Sequence, residues 1–395
     1  QSRTAMSDFG FDVFDLTGAA PAGEALAALH FDREEYTPFE QLLEHIRQLP
    51  DRPDRVPVKR LNVNGRVVSD SMERYLSHAG ESSSLLKEAL KSPRHYLIAR
   101  TSELKSKNTH HFDFGTFVHS AILEPSKFSK VRVLPQASKT TASGCRRLIR
   151  YYWELFGIQG NADLSDQKIG ALRVQIDTLH TAAKEAGYTF IKEDDAKIVD
   201  VIRIAYKTYG GGILPKLMRY VKAETSMYGT DPDTGMKVKI RPDGMLLEEN
   251  FGINAILSIK TTSASSVQAF YNECAKYRYE LSEGMYLKVA SEITGRPFTA
   301  TLMVMIQNTA PFQIALIFWD AEDLQIGKYK YAQALDIVKR CKASGSWPGF
   351  DALAEEGAFG IIQGKLPGYI KSELLPQYLP DVEVGTKCGV SPKAT

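Results

Sequence analysis

Clear hydrophobic patterning begins at Ser82. Ser82-Ser83-Ser84 supplies a helix-starting cluster, and Leu85, Leu86, Ala89 and Leu90 follow at helical spacing. Ser92-Pro93 ends that run. A second helix is predicted over 114–123, with Pro125 past its end. Residues 164–208 read as helical on Ile169, Leu172, Ile176 and Leu179, until Gly210-Gly211-Gly212 breaks the run. The pattern then changes to strands. Residues 224–228 form one, 231–235 a tight turn, and 236–240 the returning strand of a hairpin. A third strand spans 255–260. A helix follows over 267–294 with a break near Cys274, then apolar strands at 299–307 and 312–319, and a last helix over 321–341. Three strands, a long helix and two more strands predict an α/β protein with a mixed central sheet flanked by helices.

Upstream of this region, residues 6–78 read as a separate N-terminal segment with no assignable role. Its stretch at 49–57 is too rich in Pro and Arg for a helix interior. Residues 1–5, before Met6, look like an expression-vector remnant. The expected organisation is a main domain over 79–350, a helical insertion at about 140–212 and a C-terminal extension over 351–395.

Composition adds little beyond a globular class, with 43% hydrophobic and 24% charged residues. No apolar run reaches membrane-spanning length and no secretory leader opens the chain, so a cytoplasmic protein without a membrane partner is expected. Cys145, Cys274, Cys341 and Cys388 lie too far apart for zinc or iron–sulfur spacing and read as reduced structural cysteines. The net charge of +2 neither supports nor excludes nucleic acid. Local basic clusters (Arg146, Arg147 and Arg150; Lys216, Arg219 and Lys222) read first as solvated helix faces. Gly210-Gly211-Gly212 lacks the P-loop spacing, His110-His111 lacks ligand spacing, and no G-x-S-x-G nucleophile signature occurs.

The chemistry concentrates in 224–286. Arg241-Pro242-Asp243 follows the hairpin, and Lys260 lies seventeen residues after Asp243. A carboxylate at one strand end and a lysine on the next suit metal-assisted phosphodiester hydrolysis. The carboxylate holds a hard divalent cation through oxygen. Such a cation polarises phosphorus and acidifies bound water. The lysine orients or helps deprotonate that water and offsets transition-state charge. Strand alternation puts Ser258 and Lys260 on one face and Ile259 in the core, its backbone carbonyl still within reach of a metal. Alone, this pairing also fits a surface turn and a solvated lysine.

The surroundings resemble a known family. Glu224, Tyr228, Asp231-Pro232-Asp233-Thr234-Gly235, Arg241-Pro242-Asp243, Ile259-Lys260-Thr261-Thr262, Tyr277-Arg278-Tyr279 and Tyr286 are similar in order to the core of exonuclease VIII (RecE)-type nucleases, of the PD-(D/E)XK superfamily. Trp347-Pro348 matches that family's tryptophan–proline after its last helix. Gly115-Thr116, His119 and Leu123-Glu124-Pro125 resemble its histidine-bearing helix. The resemblance covers about 82–135 and 220–350. It implies a PD-(D/E)XK core with helical insertions and an N-terminal appendage, Mg²⁺ or Mn²⁺ as cofactor, and 5′-to-3′ resection of double-stranded DNA ends in recombination. It also implies a phage or prophage setting, a homo-oligomeric ring and a single-strand annealing recombinase as partner. Carried over position by position, Asp243 is the central metal ligand, Glu224 on the hairpin's first strand a second acid or one beyond the metal's direct ligands, and Lys260 the lysine of the motif. His119 meets metal-bound water or the scissile phosphate, and Tyr286 packs near the site.

Two positions depart from the family. Its aspartate two before the lysine is Ser258 here, and its glutamine on the following helix is Ser282. A hydroxyl brings no charge to a cation. Three readings follow. The acid has moved to the next helix, where Glu280 and Glu283 lie and where Glu283 shares a face with Tyr279 and Tyr286. Or the site is degenerate and the protein binds DNA or a protein partner without cutting. Or Ser258 is an engineered inactivation.

Overall fold

The computed structural model describes residues 31–51, 56–101, 130–159 and 163–364. His119 and the helix expected around it, and Cys388, lie outside them. The N-terminal stretch contributes α1 (Phe39–Gln48), β1 (Arg66–Val68) and α2 (Met72–Ser77). Helices α3 (Ser83–Ala89) and α4 (Pro93–Thr101) follow, meeting at the Ser92-Pro93 boundary. Ser82 takes the N-cap position of α3 in extended conformation without a side-chain cap bond.

Between 130 and 191 the chain builds β2 (Val131–Val133), α5 (Ala142–Phe156), α6 (Ile169–Glu185) and β3 (Thr189–Ile191), with β2 and β3 paired in parallel. The continuous helix expected over 164–208 is therefore two helices with a strand between them. Gly187 at φ 85° ends the first in a backbone region that other residues enter only at a cost. Cys145, Leu148, Ile149, Tyr152, Leu172 and Ile176 form a core internal to this stretch. Helices α7 (Glu193–Thr208) and α8 (Ile213–Met218) instead send Ile202, Leu214 and Leu217 into the core under the main sheet.

The remaining elements are β4 (Lys222–Ala223), β5 (Ser226–Thr230), β6 (Lys237–Ile240), β7 (Gly244–Leu246), α9 (Glu248–Phe251), β8 (Asn254–Thr262), α10 (Val267–Lys276), α11 (Tyr279–Thr294), β9 (Phe298–Gln307), β10 (Ile314–Phe318) and α12 (Ala321–Ser344). The central sheet runs β10-β9-β8-β7-β4, with β8 and β9 parallel and the other pairs antiparallel. The hairpin β5–β6 does not join it. It pairs with β1 in a three-stranded sheet, and Tyr36, Leu61 and Val67 of the N-terminal stretch share the core beneath that sheet. This is the mixed α/β architecture with flanking helices that the pattern predicts.

Along β8, Ala255, Leu257 and Ile259 enter one apolar cluster while Ile256 enters the other, against α11. Ser258 and Lys260 share the Ile256 side by the two-residue period of a strand. Helix α11 lies close to α12. A Cβ on Gly284 would collide with the backbone at Gly327, and one on Gly327 with the carbonyl of Glu280, so this crossing accepts no side chain at either position. No described helix is long and apolar enough to cross a membrane. The described cysteines are free and buried.

Candidate active site

Asp243 reaches its place through a short strand the sequence pattern did not reveal. Gly244 pairs with Leu257 and Met245 with Ile256, so Asp243 stands beside the middle of β8. Pro242 has no N–H and cannot extend the ladder. The Ile259 N–H is satisfied by the Asp243 carboxylate instead, at 2.6 Å. Gly244 has no room for a larger residue, since a Cβ there would strike Val221. The same carboxylate oxygen lies 3.6 Å from Lys260 Nζ.

Glu283 points inward from α11. Its two carboxylate oxygens lie 2.9 and 2.8 Å from Ser258 Oγ, whose hydroxyl donates to them, and the residue is fully buried. Burial raises the Glu283 pKa to about 7, and Asp243 adds to the rise, while Lys260 and the Ser258 hydroxyl oppose it. For Lys260, burial favours the neutral amine, but Asp243, then Glu283 and Tyr279, outweigh it and the pKa ends raised. Asp243, Lys260, Ser258 and Glu283 therefore form one electrostatic unit. Glu280 does not join it: its carboxylate pairs with Lys330 of α12 at 2.6 Å. Ser282 is buried on α11 beside Glu283.

Glu224 is not on the hairpin's first strand as expected. It falls between β4 and β5, at φ 44°, and its N–H donates to the Asp243 carbonyl at 3.0 Å. That turn brings its carboxylate to Arg241, 3.0 Å away. Arg241 also donates to the Asp70 carbonyl and the Ser226 hydroxyl, both at 2.8 Å, and so ties the hairpin to the N-terminal stretch. Tyr286 bonds Ser83 of α3, and burial, with Glu283 and Asp243 nearby, pushes its hydroxyl pKa upward.

One group at the site had no sequence signal. Lys87 of α3 lies 5.1 Å from the ring centre of Tyr279, and Lys260 lies 5.7 Å from the same ring. Burial lowers the Lys87 pKa to about 8, with Lys260 adding to the effect and Glu283 opposing it. Only the tertiary fold brings α3 over α11, so spacing along the chain could not have marked this residue. A second acidic group, Asp231, Asp233 and Glu292, lies at the hairpin turn, where Lys288 already bridges Asp233 and Glu292 at 3.0 and 2.6 Å.

Residues 215–355 match the family described as a PDDEXK-like domain of unknown function, DUF3799. The matched segment holds Asp243, Ser258, Lys260 and Glu283 together. No curated protein matches the chain. A solved structure of a candidate exonuclease from Eubacterium rectale aligns with a TM-score of 0.44 and 14% identity, over 76% of this chain and 96% of that one.

Proposed function

We propose that this chain is a divalent-metal-dependent deoxyribonuclease whose second acid has moved from β8 to α11. The carrying observation is Glu283, buried and seated on Ser258 beside Asp243 and Lys260. The donor set fits a hard cation. Asp243, Glu283 and the Ile259 carbonyl offer only oxygen, and Glu224, whose N–H bonds the Asp243 carbonyl, brings a carboxylate held by Arg241. When bound there, Mg²⁺ or Mn²⁺ would polarise the phosphoryl group and acidify a water. Lys260 holds and orients the attacking water and balances charge on the pentavalent phosphorus. Arg241 fixes Glu224. Tyr286, bonded to Ser83, stands near Glu283 and Asp243. His119 is proposed to meet the scissile phosphate or metal-bound water, on the family resemblance alone. The finer reading is an exonuclease VIII-type enzyme that resects double-stranded DNA ends, with the ring and the annealing partner that the resemblance implies.

A second reading has its own observation. The 3.6 Å pairing of Lys260 with Asp243, and the loss of a carboxylate at position 258, suit a scaffold that binds DNA without cutting. Digestion of end-labelled linear duplex with Mg²⁺ or Mn²⁺ separates the two. The nuclease reading expects cutting by the parent and a loss of about 10²-fold or more in Lys260→Ala. An inert parent that gains activity in Ser258→Asp would establish a silenced site instead.

A further inference from the structure

The Tyr277-Arg278-Tyr279 junction has no role in holding a metal, yet it extends from the site to solvent. Tyr279 is half-buried with Lys260 and Lys87 on its ring. Its ring centre lies 5.9 Å from that of Tyr277, which is 47% exposed. Lys276 sits over the Tyr277 ring at 5.4 Å, and Tyr271, one and a half turns back on α10, is 45% exposed. Arg278 at φ 51° breaks the helix between the two rings, a conformation that costs energy for a side chain of this size. That break turns Tyr277 outward while Tyr279 stays against Lys260.

Exposed tyrosines alternating with cations suit a nucleic-acid strand, with rings for base faces and amines for phosphates. Charge favours the same occupant. Of the nearby acids, Glu280 is paired with Lys330, while Glu273 is turned to the Thr262 hydroxyl and keeps its charge. Among the described residues, no carboxylate lies within ion-pair distance of Lys87. A duplex offers no open base face at its sides, so a stacking ring needs an unpaired base.

We infer that Tyr277 is a stacking platform for an unpaired base of the strand whose phosphate lies at Lys260, and that Lys87 holds a phosphate of that same strand. This rests on the nuclease reading and specifies its substrate: the strand enters the site separated from its complement.

The test is fluorescence anisotropy with two labelled DNAs of the same sequence, one a blunt duplex and one with a short unpaired end. Ca²⁺ replaces Mg²⁺ so that binding is read without cutting. Tyr277→Ala should weaken binding of the unpaired-end DNA by about ten-fold, the worth of one base–aromatic stack. It should affect the blunt duplex less, and Tyr277→Phe should bind like the parent. Lys87→Gln should lower the salt dependence of binding by about one phosphate contact. If the parent binds while Tyr277→Ala binds the unpaired end equally well, or loses both DNAs alike, the platform is wrong and the nuclease reading stands. If the parent binds neither DNA, both fall together.

Discussion

At the scale of single residues, the site depends on whether Glu283 carries charge. Its pKa of about 7 against an ordinary 4.5 is mainly the cost of burying a carboxylate. The unfolded chain releases this proton first as pH rises, so the folded form binds more protons between about 4.5 and 7. Stability contributed by Glu283 therefore falls across that window and is lowest above it. Glu283→Gln should remove up to about 3 kcal/mol of this pH dependence, the full value of the shift. Urea unfolding at pH 5 and pH 8 without divalent metal would show it. An unchanged difference between the two pH values in the variant would mean that Glu283 is solvated. A companion experiment moves the charge back. Ser258→Asp alone places two carboxylates in contact and should destabilise the metal-free protein, with Mn²⁺ restoring its melting temperature. Ser258→Asp with Glu283→Gln keeps one carboxylate and should retain more metal-dependent cutting than Glu283→Gln alone. If the double variant is no more active, the acid has not simply exchanged positions.

At the scale of elements, legibility followed how local each signal was. Strand β8 and the face shared by Glu283, Tyr279 and Tyr286 were readable because alternation and helical spacing are local. Strand β7 was not, because Gly244-Met245-Leu246 is too short to show a period and its register is set by Leu257 and Ile256. Glu224 was misplaced because a positive φ interrupts what reads as a continuous strand. The close crossing of α11 and α12 was also hidden, since a glycine within a helical pattern does not announce what it touches. That crossing sets the depth of Glu283 over β8. Gly327→Ala should force the helices apart, costing about 1–3 kcal/mol in denaturant unfolding. It should also weaken Mn²⁺ binding, because Glu283 moves with α11. A variant with lower stability and unchanged metal affinity would show that the loop after β8, and not the helix crossing, positions the carboxylate.

At the scale of the whole molecule, the described residues form an apolar cluster separate from the two that sandwich β8 and β9. The expected insertion at about 140–212 divides at Gly187 and Lys192. Its first part buries Ile149, Leu172 and Ile176 among themselves, while α7 and α8 belong to the core under the central sheet. None of the residues in that first cluster appears in the two clusters that sandwich β8 and β9. Units with separate apolar cores open separately. Ile149→Ala removes a fully buried side chain, a change worth about 2–5 kcal/mol in a packed core. Hydrogen exchange should then quicken throughout α5 and α6, while amides of β8 and β9 keep their protection. The metal-dependent cutting of a short duplex should survive as well, because Asp243, Lys260 and Glu283 take no support from that cluster. Equal loss of protection in β8 would mean that the unit and the sheet fold as one, and that an insertion supported by its own core nevertheless braces the site.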